Sequence, residues 1–170
     1  MSSLSLSTIL VSEIMKRDVK KAKDSEPVLY AIGLMAKHKI SSVVIANEEN
    51  KPIGILTEKD AIKTISERER PLMIRLGSVM STPLVTVSSS SSLSAVLNLM
   101  AQKNMNHLPV VESEKLVGIV TEKDIFRYVL RNIGSIQEIA ERSSQIPKQL
   151  IERFGTEMVG TGVWPEPHRT

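Results

Sequence analysis

The sequence contains no cysteine, which excludes a disulfide framework, a thiol nucleophile and a zinc site built on thiolates. Only three histidines occur, His38, His107 and His168, too few to suggest an imidazole-based metal centre. Aromatic residues make up 3% of the chain, so stacking platforms for single-stranded nucleic acid are scarce. No uninterrupted apolar run approaches the ~18–20 residues of a membrane span. The amino end, MSSLSLSTILVSEIM, lacks the basic start and continuous apolar core of a secretory signal, and the expected location is the cytoplasm. Neither sign of charge dominates: 22 Lys and Arg stand against 19 Asp and Glu, for a net charge of +3. A surface so balanced points to no polyanionic partner. There is no Ser–His–Asp spacing, no P-loop string and no dinucleotide glycine fingerprint. The expectation is that the chain is not an enzyme.

What is there is self-similarity. Met80 follows Met15 by 65 positions, and Leu99-Met100-Ala101 follows Leu34-Met35-Ala36 at the same offset. With one residue dropped, Gly118-Ile119-Val120-Thr121-Glu122-Lys123-Asp124 repeats Gly54-Ile55-Leu56-Thr57-Glu58-Lys59-Asp60. A methionine pair arises by chance; a Gly-Ile-x-Thr-Glu-Lys-Asp string recurring in register does not. The 170 residues therefore hold a tandem duplication of a short unit. A unit of roughly 60 residues barely buries a core alone, so the two copies are expected to share one.

Each copy reads as the same β-α-β-β-α string, which makes the fold class α/β (α+β). An extended stretch comes first, 18–22 in one copy and 83–87 in the other. Cap signals follow: Asp24-Ser25 with Pro27, and the serine run 88–92. Apolar residues then recur at helical spacing, at Val28, Leu29, Ile32, Met35 and Ala36, and at Leu93, Val96, Leu97, Met100 and Ala101. That spacing predicts one buried face per helix. Val43-Val44-Ile45 and Leu108-Pro109-Val110-Val111 read as buried strands, each joined by a polar hairpin to 53–56 or 117–120. A second helix opens at Thr57 or Thr121. The organisation is an N-terminal arm (1–10), a first repeat (11–66), a charged linker (67–75), a second repeat (76–131) and a tail (132–170). Leu4 and Leu6 alternate with serines, which suits an edge strand or extended arm. Two short amphipathic helices are expected within 135–154.

The duplication, with Pro83-Leu84-Val85-Thr86-Val87, Asn106-His107-Leu108-Pro109-Val110-Val111 and the two Gly-Ile-x-Thr-Glu-Lys-Asp strings, resembles the tandem cystathionine-β-synthase (CBS) domain pair, or Bateman module. The resemblance covers about residues 11–131. It departs from the pattern in the first copy, where Asp18-Val19-Lys20-Lys21-Ala22 replaces the threonine-bearing strand and Val44 stands in place of proline. It implies two copies about a pseudo-two-fold axis, and one or two clefts between them for AMP, ADP, ATP or S-adenosylmethionine. One cleft would combine Thr86, Met105, Asn106 and His107 with Thr57, Lys59 and Asp60. The other would combine Lys21, Ile40 and Ser41 with Thr121, Lys123 and Asp124. It also implies a homodimer, and a regulatory role toward an unidentified protein in trans.

These residue types suit such a ligand. A carboxylate only accepts, and can take both hydroxyls of a ribose. The threonine hydroxyl and the free N–H groups of the helix it opens favour a phosphate. Lys59, Lys123, Lys21 and His107 add positive charge, and Met105 or Ile40 can flank a planar base. Lysine and histidine differ in charge and reach, so the two clefts are expected to be unequal. Thr57-x-x-Asp60 and Thr121-x-x-Asp124 equally fit a helix capping box, and the two roles are compatible. The basic run from Lys16 to Lys23 supports an alternative reading, a nucleic-acid-binding or structural interaction protein; a basic strip of that kind binds phosphates in a salt-dependent way.

Overall fold

Five α-helices and five short strands alternate along residues 6–133, the part of the chain that the computed structural model describes. The expected helices within 135–154 and most of the tail lie outside the described residues.

In the first copy, strand β1 (Lys21–Lys23) leads to helix α2 (Val28–His38), which follows the one-turn helix α1 (Val11–Ile14) in the chain. Strands β2 (Ser42–Ala46) and β3 (Pro52–Thr57) form the hairpin, and helix α3 (Glu58–Glu67) closes the copy. The sheet order is β1-β2-β3, with β1 parallel to β2 and β2 antiparallel to β3. In the second copy, helix α4 (Leu93–Lys103) precedes strands β4 (His107–Glu112) and β5 (Lys115–Thr121), and helix α5 (Glu122–Ile133) follows. The fold is mixed α/β, as the duplication implied.

The expected first strand of the second copy is the exception. Residues 83–87 make only a single parallel bridge, Val87 to Val110. The cause is Pro109. In the first copy the Val44 N–H donates to the Lys20 carbonyl at 3.2 Å; at the matching position Pro109 has no N–H to give. What survives of the ladder is at Val87, whose N–H donates to the Pro109 carbonyl at 3.1 Å and whose carbonyl accepts from Val111 N–H at 3.0 Å.

Helices α2 and α4 end alike. Lys39 and Asn104, 65 positions apart, take the left-handed conformation (φ 53° and 52°), and the next N–H of each returns to the Met35 or Met100 carbonyl. On α4 the predicted face is buried at Leu93, Val96, Leu97 and Met100, whereas on α2 it is narrower than the spacing predicted. Val28, Ala31 and Met35 are buried, but Leu29 and Ala36 turn outward. Leu29, Tyr30, Ile62, Ile65 and Met73 leave apolar surface exposed on α2, α3 and the turn 71–73 that packs against both.

Rather than one shared core there are two, each completed by the segment that leads into the other copy. The first holds Val28, Ala31, Met35, Val43, Ile45 and Leu56, and is filled by Leu76 with Ile74, Val79 and Met80 around it. The second holds Leu93, Val96, Leu97, Met100, Leu108, Val110 and Val120, and is filled by Leu6, Ile9, Val11 and Ile14. Residues 6–10 thus form a turn and a lone bridge, Leu10 to Ser92, rather than an edge strand. The exchange is anchored by matched backbone pairs: Lys16 and Ile119 trade N–H···O bonds of 2.9 Å, and Ser81 and Ile55 trade bonds of 2.8 and 3.2 Å.

Glycine permits that approach. A Cβ on Gly118 would sit 2.7 Å from Met15 Sδ and 3.0 Å from the Lys16 carbonyl oxygen, and one on Gly54 would collide with Met80 Sδ. The repeated methionine and the repeated glycine are one contact, made twice and crosswise.

Leu76 is fully buried although it lies outside the elements of the copy whose core it fills. Leu76→Ala should therefore cost about 2–5 kcal/mol, as for other large-to-small core substitutions, measured by urea denaturation. A loss below about 1 kcal/mol, the range of a surface change, would show that the exchanged segment does not hold the fold.

Candidate functional site

The crossed arrangement brings the start of α3 and the start of α5 to one place. Between the copies lies a cavity of about 350 Å³ whose walls include Ser41, Ile55, Thr57, Lys59, Asp60 and Ser81, together with Met105, Asn106, His107, Thr121 and Lys123. Six of the seven residues expected in the first cleft are there; Thr86 is not among them, and is exposed. Of the second set, Ser41, Thr121 and Lys123 line the same cavity. Lys21 does not: its Nζ donates to Asn50 Oδ1 at 3.0 Å, on the hairpin. Ile40 packs on the first core.

The Thr-x-x-Asp strings do cap their helices. Asp60 N–H donates to Thr57 Oγ1 at 3.3 Å, and Thr57 N–H and Oγ1 donate to Asp60 Oδ2 at 2.9 and 2.7 Å. Thr121 and Asp124 repeat the hydroxyl bond at 2.6 Å and the amide bond at 3.3 Å. In both copies the cap engages Oδ2 and leaves Oδ1 to point elsewhere. There the copies part. Among the described residues, Asp60 Oδ1 meets only a long bond from Ser81 Oγ at 3.4 Å. Asp124 Oδ1 is held by Lys16 Nζ at 2.7 Å, with Arg127 at 3.8 Å, and its side chain is 6% exposed.

His107 bridges the copies through Nε2, 2.8 Å from Ser41 Oγ. Burial pushes its pKa below the ordinary 6.5; Asp124 raises it and Lys123 lowers it by smaller amounts. The ring is therefore neutral at pH 7 and acts as a hydrogen-bonding group. The positive charge on the cavity wall comes from Lys59 and Lys123.

Ile55, Ser81 and Asn104 on the cavity wall were not expected there from the sequence, and Lys16 was expected only as part of the basic run, not beside Asp124. Ser81 and Lys16 stand directly after the paired methionines Met80 and Met15, and that position is the signal that could have found them. The basic run does not form an open strip. Lys16 pairs with Asp124, Lys20 with Asp18 at 2.8 Å, and Lys23 with Glu48 at 2.8 Å. Among the described residues no cluster of metal-ligating side chains occurs and no helix is long and apolar enough to cross a membrane.

The comparisons agree with this geometry. The family model for the CBS domain matches twice, over residues 11–67 and 76–131. The chain belongs to the CBS-domain family. An uncharacterized protein of Methanopyrus kandleri is 35% identical over 133 residues, which are 77% of this chain and 68% of that protein. Another from Methanocaldococcus jannaschii is 29% identical over 70% of this chain but only 31% of its own length. Among solved structures, the CBS domain pair of protein MJ0100, in complex with 5′-methylthioadenosine and S-adenosyl-L-methionine, superposes with a TM-score of 0.64 at 27% identity; the match covers 70% of this chain and 94% of that one.

A histidine kept neutral by burial stabilises the fold above its unfolded pKa of about 6.5, because below that value the unfolded chain takes up a proton that the folded chain resists. That contribution is lost as pH falls from about 6.5 through the lower folded value. The melting temperature should drop between pH 7.5 and pH 5.5, and His107→Gln, which keeps a donor for Ser41 without titrating, should flatten the slope. An unchanged slope in the variant would remove His107 as its source.

Proposed function

We propose that this CBS pair is a regulatory receptor for an adenosine-containing ligand, AMP, ADP, ATP or S-adenosylmethionine, bound in the cavity between the copies on the Asp60 side. The observation that carries the reading is Asp60 itself. Its Oδ2 is fixed by the cap while its Oδ1 faces a cavity shared by both copies. A carboxylate so held accepts the two ribose hydroxyls without reorganising. Ile55 and Met105 supply apolar wall for the base, and Lys59 and Lys123 supply charge for phosphates or a carboxylate. The volume falls within the ~300–1,000 Å³ of small-ligand sites. The adenosyl ligands bound by the MJ0100 domain pair support the ligand class.

The role that fits such a site is sensing. Ligand bridging the two copies favours one mutual arrangement of them, and a partner in trans that distinguishes arrangements is thereby regulated. A cytoplasmic setting fits a cysteine-free receptor for a cytosolic metabolite. We also infer a homodimer. Leu29, Ile62, Ile65 and Met73 expose apolar surface across packed helices, and two-fold pairing is the common way to cover such a face. Nucleic-acid binding gains no support, since three of the four lysines in the run are paired with carboxylates and Lys21 is bonded to Asn50.

Ligand at 100 times its Kd adds ~2.7 kcal/mol of stability, a melting shift of roughly 5–10 °C for a chain of this size. A panel of adenosine, AMP, ADP, ATP, NAD and S-adenosylmethionine should produce that shift for at least one member, and Asp60→Ala should abolish most of it. A flat panel would refute the receptor. Light scattering should return twice the 18.8 kDa chain mass; a mass of one chain at micromolar concentration would refute the dimer.

A further inference from the structure

The two carboxylates differ in what occupies them, and the difference comes from one position. Lys16 and Ser81 are counterparts: each follows its copy's methionine, and each is tied by a backbone bridge to the isoleucine behind the opposite Thr-x-x-Asp string. Each side chain is thereby aimed at Oδ1 of the opposite aspartate. Serine reaches Asp60 only at 3.4 Å, so the acceptor stays open. Lysine reaches Asp124 at 2.7 Å and brings a full positive charge.

We propose that Lys16 is a built-in occupant of the Asp124 cleft, closing it to a ribose and making this chain a one-site receptor. The assignment rests on the adenosyl reading of the Asp60 side and specifies its stoichiometry. A ribose diol entering the second cleft must displace an ammonium from Oδ1, and a neutral hydroxyl is a weaker donor to a carboxylate than an ammonium. Displacing Lys16 would also take from the almost fully buried Asp124 its nearer cation, leaving only Arg127 at 3.8 Å, which is costly. Lys21, expected at the other end of the cleft, does not offset this, because it is turned to Asn50. The cavity agrees: its walls include Asp60 and Ser81 but neither Asp124 nor Lys16.

The variant that tests this is Lys16→Ser, which installs the residue the other copy already carries on the same backbone bridge. Calorimetric titration with AMP and with 5′-methylthioadenosine should give one site per chain for the natural protein and two for Lys16→Ser. The added site should vanish in Lys16→Ser/Asp124→Ala. Two sites in the natural protein, or one in Lys16→Ser, would overturn the proposal. A second measurement needs no ligand. Acylation of lysines by an N-hydroxysuccinimide ester, read by mass spectrometry, should label Lys16 several-fold more slowly than Lys115, and Asp124→Asn should remove the protection. If neither protein binds either ligand while Lys16 is protected, the receptor reading fails and the occupied carboxylate stands. If Lys16 reacts as fast as Lys115, the occupied carboxylate fails as well.

Discussion

Neither copy of the duplication encloses a core by itself, and that constraint shapes everything else in the molecule. A sheet of two or three short strands with two helices leaves one flank of the helices uncovered. Here the flank of each copy is covered by the segment that leads into the other, through Leu76 in one direction and Leu6, Ile9, Val11 and Ile14 in the other. The exchange needs close backbone passage at Gly54 and Gly118. Once made, it fixes the copies in a crossed relation, with the starts of α3 and α5 and the entries to β2 and β4 around one cavity. The site follows from the way the core is completed.

The same motif then serves two purposes without conflict, because a carboxylate has two oxygens. Oδ2 accepts the cap threonine's hydroxyl in both copies and so holds the side chain in a single orientation. Oδ1 is left over and aimed by the backbone. What meets Oδ1 is decided by the exchanged segment: serine in one direction, lysine in the other. A small change in a segment remote in sequence from the motif thus sets the availability of an acceptor without touching the fold.

Much of this was legible in the sequence, for identifiable reasons. The recurrence of Gly-Ile-x-Thr-Glu-Lys-Asp fixed the element order, because a duplicated string must fold twice alike. Six of the seven residues expected around Asp60 meet at the cavity, since the motifs sit at helix starts and strand entries, where backbone direction dictates placement. What failed were features set by long-range pairing. The lost strand at 83–87 follows from a missing N–H on Pro109, one strand away. Lys21 turned to Asn50, 29 residues on, across the sheet. The shared core became two because the segments before each repeat carry apolar residues whose destination, the opposite copy, no local periodicity reveals. Leu29 and Ala36 faced outward because helical spacing gives a stripe but not its width.

The central claim is that the pocket between the copies, on the Asp60 side, receives an adenosyl ligand. The most direct measurement is a ¹H–¹⁵N correlation spectrum of the protein titrated with 5′-methylthioadenosine and with AMP. The account predicts that amides from both copies move together, those of 57–60 and those of 105–107, while the amides of Lys16 and Asp124 stay in place. Shifts confined to one copy, or centred on Lys16 and Asp124, would contradict it.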